Sequence, residues 1–180
     1  MSGRLIAVVG PSGVGKDTVM EAVAHTDPRP GLVRRVITRP SAAGGEVFEG
    51  VSVDEFEARR AAGAFALHWG AHGLFYGVPV DVDRDLAAGR DMLVNLSRGV
   101  LVEAAARFPG LVTIALTATP DVLAARLAAR GREDAYEIKR RLARAAFGLP
   151  DDVAAISIDN SGTLETTVQT ALSALYPVSV

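Results

Sequence analysis

Apolar positions in this chain gather into two kinds of run. Leu5–Val9, Leu32–Ile37, Asp91–Leu96, Leu111–Thr117 and Val153–Ile158 are short and mostly apolar. Such runs predict strands covered on both faces, because a half-exposed strand would alternate apolar with polar residues. Between them lie segments with helical spacing of apolar positions: 17–25, 54–62, 82–88, 99–108, 120–129, 135–147 and 163–175. Thr119 before Pro120 is favourable helix-start chemistry, a hydroxyl cap followed by a residue whose missing N–H costs nothing in the first turn. The alternation predicts an α/β fold with a parallel sheet flanked by helices.

Two stretches break the rhythm. Residues 38–77 hold a loop rich in Gly, Ala and Pro, a short helix, an apolar strand Ala64–Trp69 and a turn at His72-Gly73, which predicts an insertion with some antiparallel strand. Residues 126–144 are dense in arginine and interrupted at Gly131. Both fit within a single domain spanning 1–180.

Composition narrows the function only by exclusion. Hydrophobic residues make up 49% of the chain, enough for a sizeable core, and the formal net charge of −2 gives no general affinity for nucleic acid or anionic membranes. No apolar run approaches the roughly 18 residues of a membrane span. Without cysteine there is no disulfide, thiol nucleophile or zinc–thiolate site. Met1 runs directly into the first strand, leaving no room for a cleavable leader, so the expected location is cytoplasmic. A homodimer is compatible with the sequence, which specifies no oligomeric state.

The chemistry concentrates at Gly10-Pro11-Ser12-Gly13-Val14-Gly15-Lys16-Asp17-Thr18, between the first strand and the first helix. Strand, glycine loop, helix is the setting of a P-loop: glycines let successive N–H groups turn around an anion, and the helix N-terminus adds partial positive charge. Lys16 is placed to reach the β- and γ-phosphates. A Ser or Thr that would bind Mg²⁺ usually follows the lysine. Here Asp17 occupies that slot and the hydroxyl comes at Thr18, so these two are the candidate Mg²⁺ residues, directly or through water. The chain has no Asn-Lys-x-Asp base-reading run, and the strand at 91–96 ends in Asn95-Leu96-Ser97-Arg98. Small-molecule kinases instead carry an arginine-rich lid, which Arg126, Arg130, Arg132, Arg140, Arg141 and Arg144 can supply.

These motifs, followed in order by Thr38-Arg39-Pro40, Phe75-Tyr76-Gly77 and Arg130-Gly131-Arg132, resemble guanylate kinases over almost the whole chain. The resemblance implies the P-loop kinase fold of the nucleoside monophosphate kinases, with 38–77 binding the acceptor and 126–144 forming a lid. It implies ATP and Mg²⁺, with the loop residues and Arg130 on ATP. Lys16, Arg132 and Arg141 would act on the transferring group, and Arg39 and Tyr76 on the acceptor phosphate. The departures matter too. The stretch after Arg39 lacks a second arginine and a tyrosine, and Asn95 and Ser97 stand where guanine-reading carboxylates belong. Asn and Ser can donate as well as accept, which suits sugar hydroxyls.

Asp after the P-loop lysine, with Gly73–Val78, Leu93–Arg98 and Gly131-Arg132-Glu133, is similar to one branch of that fold, the ribose 1,5-bisphosphate phosphokinases of phosphonate degradation. This similarity implies transfer of the γ-phosphoryl of ATP to ribose 1,5-bisphosphate, giving 5-phosphoribosyl 1-diphosphate. Arg98 would then lie near the other end of the sugar. A nucleoside monophosphate kinase with altered base choice, and a non-catalytic interaction module, are the alternatives. Asn95 and Ser97 either contact substrate or cap the following helix. His68 and His72 are structural or line the sugar pocket, Trp69 reads as core and His25 as surface.

Overall fold

The computed structural model describes residues 1–131, 134–145 and 148–178. A five-stranded parallel sheet runs in the order β2 (Pro30–Leu32), β7 (Asp91–Asn95), β1 (Leu5–Val9), β8 (Val112–Thr117), β9 (Ile156–Asp159). The continuous apolar run of β1 has a direct cause. Leu5, Ala7 and Val9 enter one core, while Ile6 and Val8 enter the other. On the first face pack α3 (Val82–Ala87) and α4 (Leu101–Arg107). On the second pack α1 (Lys16–Thr26), α5 (Pro120–Ala129) and α7 (Leu164–Leu175). Thr119 caps α5 by accepting from the Val122 N–H, as its sequence position predicts.

A second sheet has the order β4 (Glu49–Gly50), β3 (Val36–Ile37), β6 (Leu74–Pro79), β5 (Phe65–Ala71). Between β4 and β5 lies α2 (Val53–Ala61), whose buried Phe56 stacks on Phe65 and Phe75. The β5–β6 hairpin turns at His72 and Gly73, with φ of 53° and 74°, the positive pair that a tight two-residue turn requires.

The expected strand 32–37 is two strands in two sheets. Pro30–Leu32 pairs with β7, whereas Val36–Ile37 pairs with β4 and β6. The chain leaves the main sheet at exposed Arg34 and re-enters the interior at Arg35, 5% exposed. The last strand begins at Ile156, later than expected. The final helix of the arginine-rich stretch, α6 (Ala135–Ala145), packs against α5; its predicted extension to Phe147 lies outside the described residues. Among the described residues no helix is long and apolar enough to cross a membrane.

The strand order reverses about β1: the connection after β1 runs through α1 to β2 on one side, and the connection after β7 runs through α4 to β8 on the other. At such a switch point the carboxyl ends of the strands bound a crevice. Here the crevice receives the glycine loop from β1 and Asn95 from the end of β7.

Candidate active site

The loop after β1 is shaped by conformations that side chains resist. Gly13 and Gly15 have φ of 85° and 95°, and a Cβ on Gly15 would stand 3.0 Å from the Asn160 amide nitrogen. Helix α1 starts after Gly15 with no side-chain cap, so its first N–H groups are available to a ligand rather than to a neighbouring hydroxyl. The loop is held from behind. Buried Asn160 donates to the Val14 carbonyl at 2.7 Å and accepts from the Thr167 hydroxyl at 2.6 Å. Arg126 donates to the same Val14 carbonyl at 3.1 Å and to the Asn160 carbonyl at 2.7 Å. With that carbonyl held from behind, the loop keeps its open shape. Arg126, grouped with the lid arginines on sequence, is a strut for this loop.

In front of the loop opens a cleft of about 460 Å³. Of the residues expected to bind the donor, Gly10, Pro11, Ser12, Gly13, Gly15, Lys16, Asp17 and Arg130 line it. Val14 is fully buried behind the loop, and Thr18 faces solvent on α1 outside the lining. All five residues expected at the acceptor, Arg39, Tyr76, Asn95, Ser97 and Arg98, line the cleft. Arg132 lies outside the described residues; Arg141 lies on α6, its side chain outside the description. Arg140, also on α6, is exposed, with its guanidinium 5.9 Å from the Tyr136 ring.

Lys16 donates to the carbonyls of Gly10 at 2.8 Å and Pro11 at 3.3 Å. Burial of the ammonium pushes its pKa down to about 8; Arg35, Arg130 and Arg98 push the same way, and Asp17 opposes. Asn95 is not a helix cap. Its amide donates to the Asp17 carboxylate at 2.9 Å, linking the end of β7 to the start of α1. Ser97 precedes a 3₁₀ turn without capping it through its side chain. The Arg39 guanidinium lies 4.4 Å from the Phe48 ring and donates to the Gly44 carbonyl at 3.2 Å. Its Nε–H is buried with no acceptor among the described residues, so internal contacts use only part of its donor capacity.

Several lining residues were not singled out on sequence. Arg35, Glu46 and Leu74 join the cleft, and so does Trp69, which is half-buried against the edge of the first core and stacks on Tyr76 with ring centroids 5.4 Å apart. His72 lines the cleft; His68, on the opposite face of β5, is exposed and does not. A signal for Arg35 existed: a pair of arginines inside an otherwise apolar run is a costly place for charge unless an anion meets it.

Asp17 is suited to Mg²⁺ by its chemistry. Among the described residues there is no cluster of three or more His, Cys, Asp or Glu that could cage a metal. Mg²⁺ in nucleotide sites is held by one or two carboxylates plus the phosphates themselves, and Asp17 is a carboxylate at the loop's edge.

No protein-family model matches the chain. It is 53% identical over 167 residues to ribose 1,5-bisphosphate phosphokinase PhnN of Ruegeria sp. (strain TM1040), covering 92% of this chain and 88% of that protein. It is 48% identical to the protein of the same name in Azotobacter vinelandii, covering 96% and 95%. Among solved structures it resembles guanylate kinase from Anaplasma phagocytophilum, with a TM-score of 0.67, 21% identity and coverage of 97% and 85%. That likeness shows the fold.

Proposed function

The chain belongs to the ribose 1,5-bisphosphate phosphokinase family, and from that premise we propose that it transfers the γ-phosphoryl group of ATP to ribose 1,5-bisphosphate. The product is 5-phosphoribosyl 1-diphosphate, an activated ribose that suits a role in phosphonate breakdown. The observation that carries the reading is the cleft itself, where one phosphate cradle adjoins a second cationic wall built from Arg39 and Arg98.

An oxygen of the acceptor's 1-phosphate attacks the γ-phosphorus, and the bond from that phosphorus to the β–γ bridging oxygen breaks to release ADP. The attacking oxygen is already ionised, so no general base is required. What remains is to hold two anions in line and offset their repulsion, about 4 kcal/mol per pair of unit charges 4 Å apart at an effective dielectric near 20. The loop N–H groups and Lys16 hold the donor; Arg39 and Tyr76 take the acceptor phosphate, Arg98 the far end of the sugar. Arg130 lines the cleft and acts on the transferring group, the role the family pattern also gives to Arg132 and Arg141. Mg²⁺, when bound, neutralises charge on the triphosphate, and Asp17 is the residue to hold it.

The second sheet serves as the acceptor-binding insertion and the α5–α6 region as the lid of one kinase domain. The guanylate-kinase-like alternative finds little support in the site. Relatives 53% and 48% identical over most of this chain carry the ribose 1,5-bisphosphate phosphokinase name, whereas the likeness to guanylate kinase stands at 21% identity, and Asn95 and Ser97 occupy the cleft where guanine-reading carboxylates belong. Incubation with ATP and ribose 1,5-bisphosphate, followed by product identification, tests the reading beside GMP, UMP and AMP. Sugar diphosphate should form fastest, and faster turnover of any nucleotide would refute it. Lys16→Ala should lower kcat by several orders of magnitude with the fold intact.

A further inference from the structure

The acceptor half of the cleft contains a cation to which no role has been given. Arg35 is buried, with its guanidinium 5.1 Å from the Tyr76 ring centroid and 5.9 Å from that of Trp69. One nitrogen donates to the Asn95 carbonyl at 2.9 Å. The other side of the fork meets Glu46 in a bidentate pair, Nε to Oε2 at 2.9 Å and Nη2 to Oε1. The two partners are held very differently. Arg35 is fixed by a strand-end carbonyl and two stacked rings. Glu46 follows Gly44 and Gly45, both at positive φ, in irregular chain between Ala43 and β4. Its neighbour Val47 is 73% exposed. Glu46 also borders a second pocket of about 230 Å³ with Met20, Leu32, Val33 and Val47, so it forms part of the wall between two spaces.

A fixed guanidinium with a bidentate carboxylate on a glycine-hinged loop has the geometry with which arginine also binds phosphate. We propose that Arg35 is a specificity-determining residue of the acceptor site, and that Glu46 is its resident counter-ion, holding the place that an acceptor phosphate takes by displacing it. This rests on the functional reading above and deepens it. The exchange requires an anion. An acceptor phosphorylated at both ends can place one phosphate on Arg39 and the other, at the far end already assigned to Arg98, on Arg35 as well. A nucleoside monophosphate offers a neutral base at that end and leaves the pair closed. The site thereby favours a sugar bisphosphate without any group that reads a base.

The test is titration of ribose 1,5-bisphosphate, and separately of inorganic phosphate, into enzyme loaded with a non-hydrolysable ATP analogue. Glu46→Gln keeps the size and an acceptor oxygen but removes the competing charge; both ligands should bind about tenfold tighter, the scale of one charged hydrogen-bonded contact. Arg35→Met alone would strand a buried carboxylate, so the double variant R35M/E46Q is used. It should bind the bisphosphate at least about tenfold more weakly, with a raised acceptor KM and an ATP KM close to that of the unaltered enzyme. Binding by E46Q no tighter than by the unaltered protein, or by R35M/E46Q just as tight, would overturn the proposal. Failure of the unaltered enzyme to phosphorylate ribose 1,5-bisphosphate sinks the functional reading instead. The phosphate titration then still decides the counter-ion, since tightening by E46Q supports it and no tightening refutes it.

Discussion

Nucleotide binding should take up a proton at alkaline pH, and Lys16 is the reason. In the unliganded cleft its ammonium has two carbonyl acceptors, yet burial holds its pKa near 8, well below the ordinary 10.5. A triphosphate brings several negative charges beside it and restores the charged form. At pH 9 only about one tenth of the empty enzyme carries the charge, so binding should draw close to one proton and affinity should fall about tenfold from its value at pH 7. Calorimetric titration of a non-hydrolysable ATP analogue at pH 9, in two buffers of different ionisation enthalpy, measures the uptake directly. Uptake near zero, with equal affinity at pH 7 and pH 9, would refute the reasoning. Stability gives a second readout. Between pH 8 and 10.5 the unfolded chain binds more protons at this lysine than the native one, so unliganded stability gains from Lys16 as pH rises through that window. The full gain is about 3 kcal/mol, already absent below pH 8 where both states are charged. Lys16→Met should abolish both the uptake and this component of the pH slope.

Other consequences concern the loop and its supports. Gly15→Ala places a Cβ at φ 95° and 3.0 Å from the Asn160 amide, and should cost about 1–2 kcal/mol in urea unfolding together with loss of ATP-analogue affinity. Asn160→Ala strips partners from the Val14 carbonyl and the Thr167 hydroxyl, with an expected cost of about 1–3 kcal/mol by the same measurement and a raised ATP KM. Asp17→Ser should raise the Mg²⁺ concentration needed for half-maximal rate; an unchanged requirement would remove Asp17 from the metal assignment.

How much of this could be read from the residues depended on the range over which each feature is decided. β1, α5 and the glycine loop are local: a buried strand, a Thr-Pro helix start and a turn only glycine tolerates each need a few neighbours to be specified. Leu32–Ile37 failed for the opposite reason. Its apolar pattern fits one strand, but Arg34 and Arg35 divide it between two sheets, and the partner that makes a buried Arg35 tolerable is Glu46, on a loop the pattern leaves formless. Arg126 shows the same limit, since an arginine on a lid-like helix and one bracing Val14 from behind look alike in one dimension. Asn95 joins the two cases. Its place at the end of a buried strand marks it for the crevice, yet only the fold shows it binding Asp17 with its amide and Arg35 with its carbonyl. One residue thus ties the donor loop to the acceptor wall, its side chain holding one and its main chain the other, so Asn95→Ala should raise the ATP KM by freeing Asp17 while its backbone carbonyl stays on Arg35, whereas Arg39→Ala should raise the acceptor KM alone.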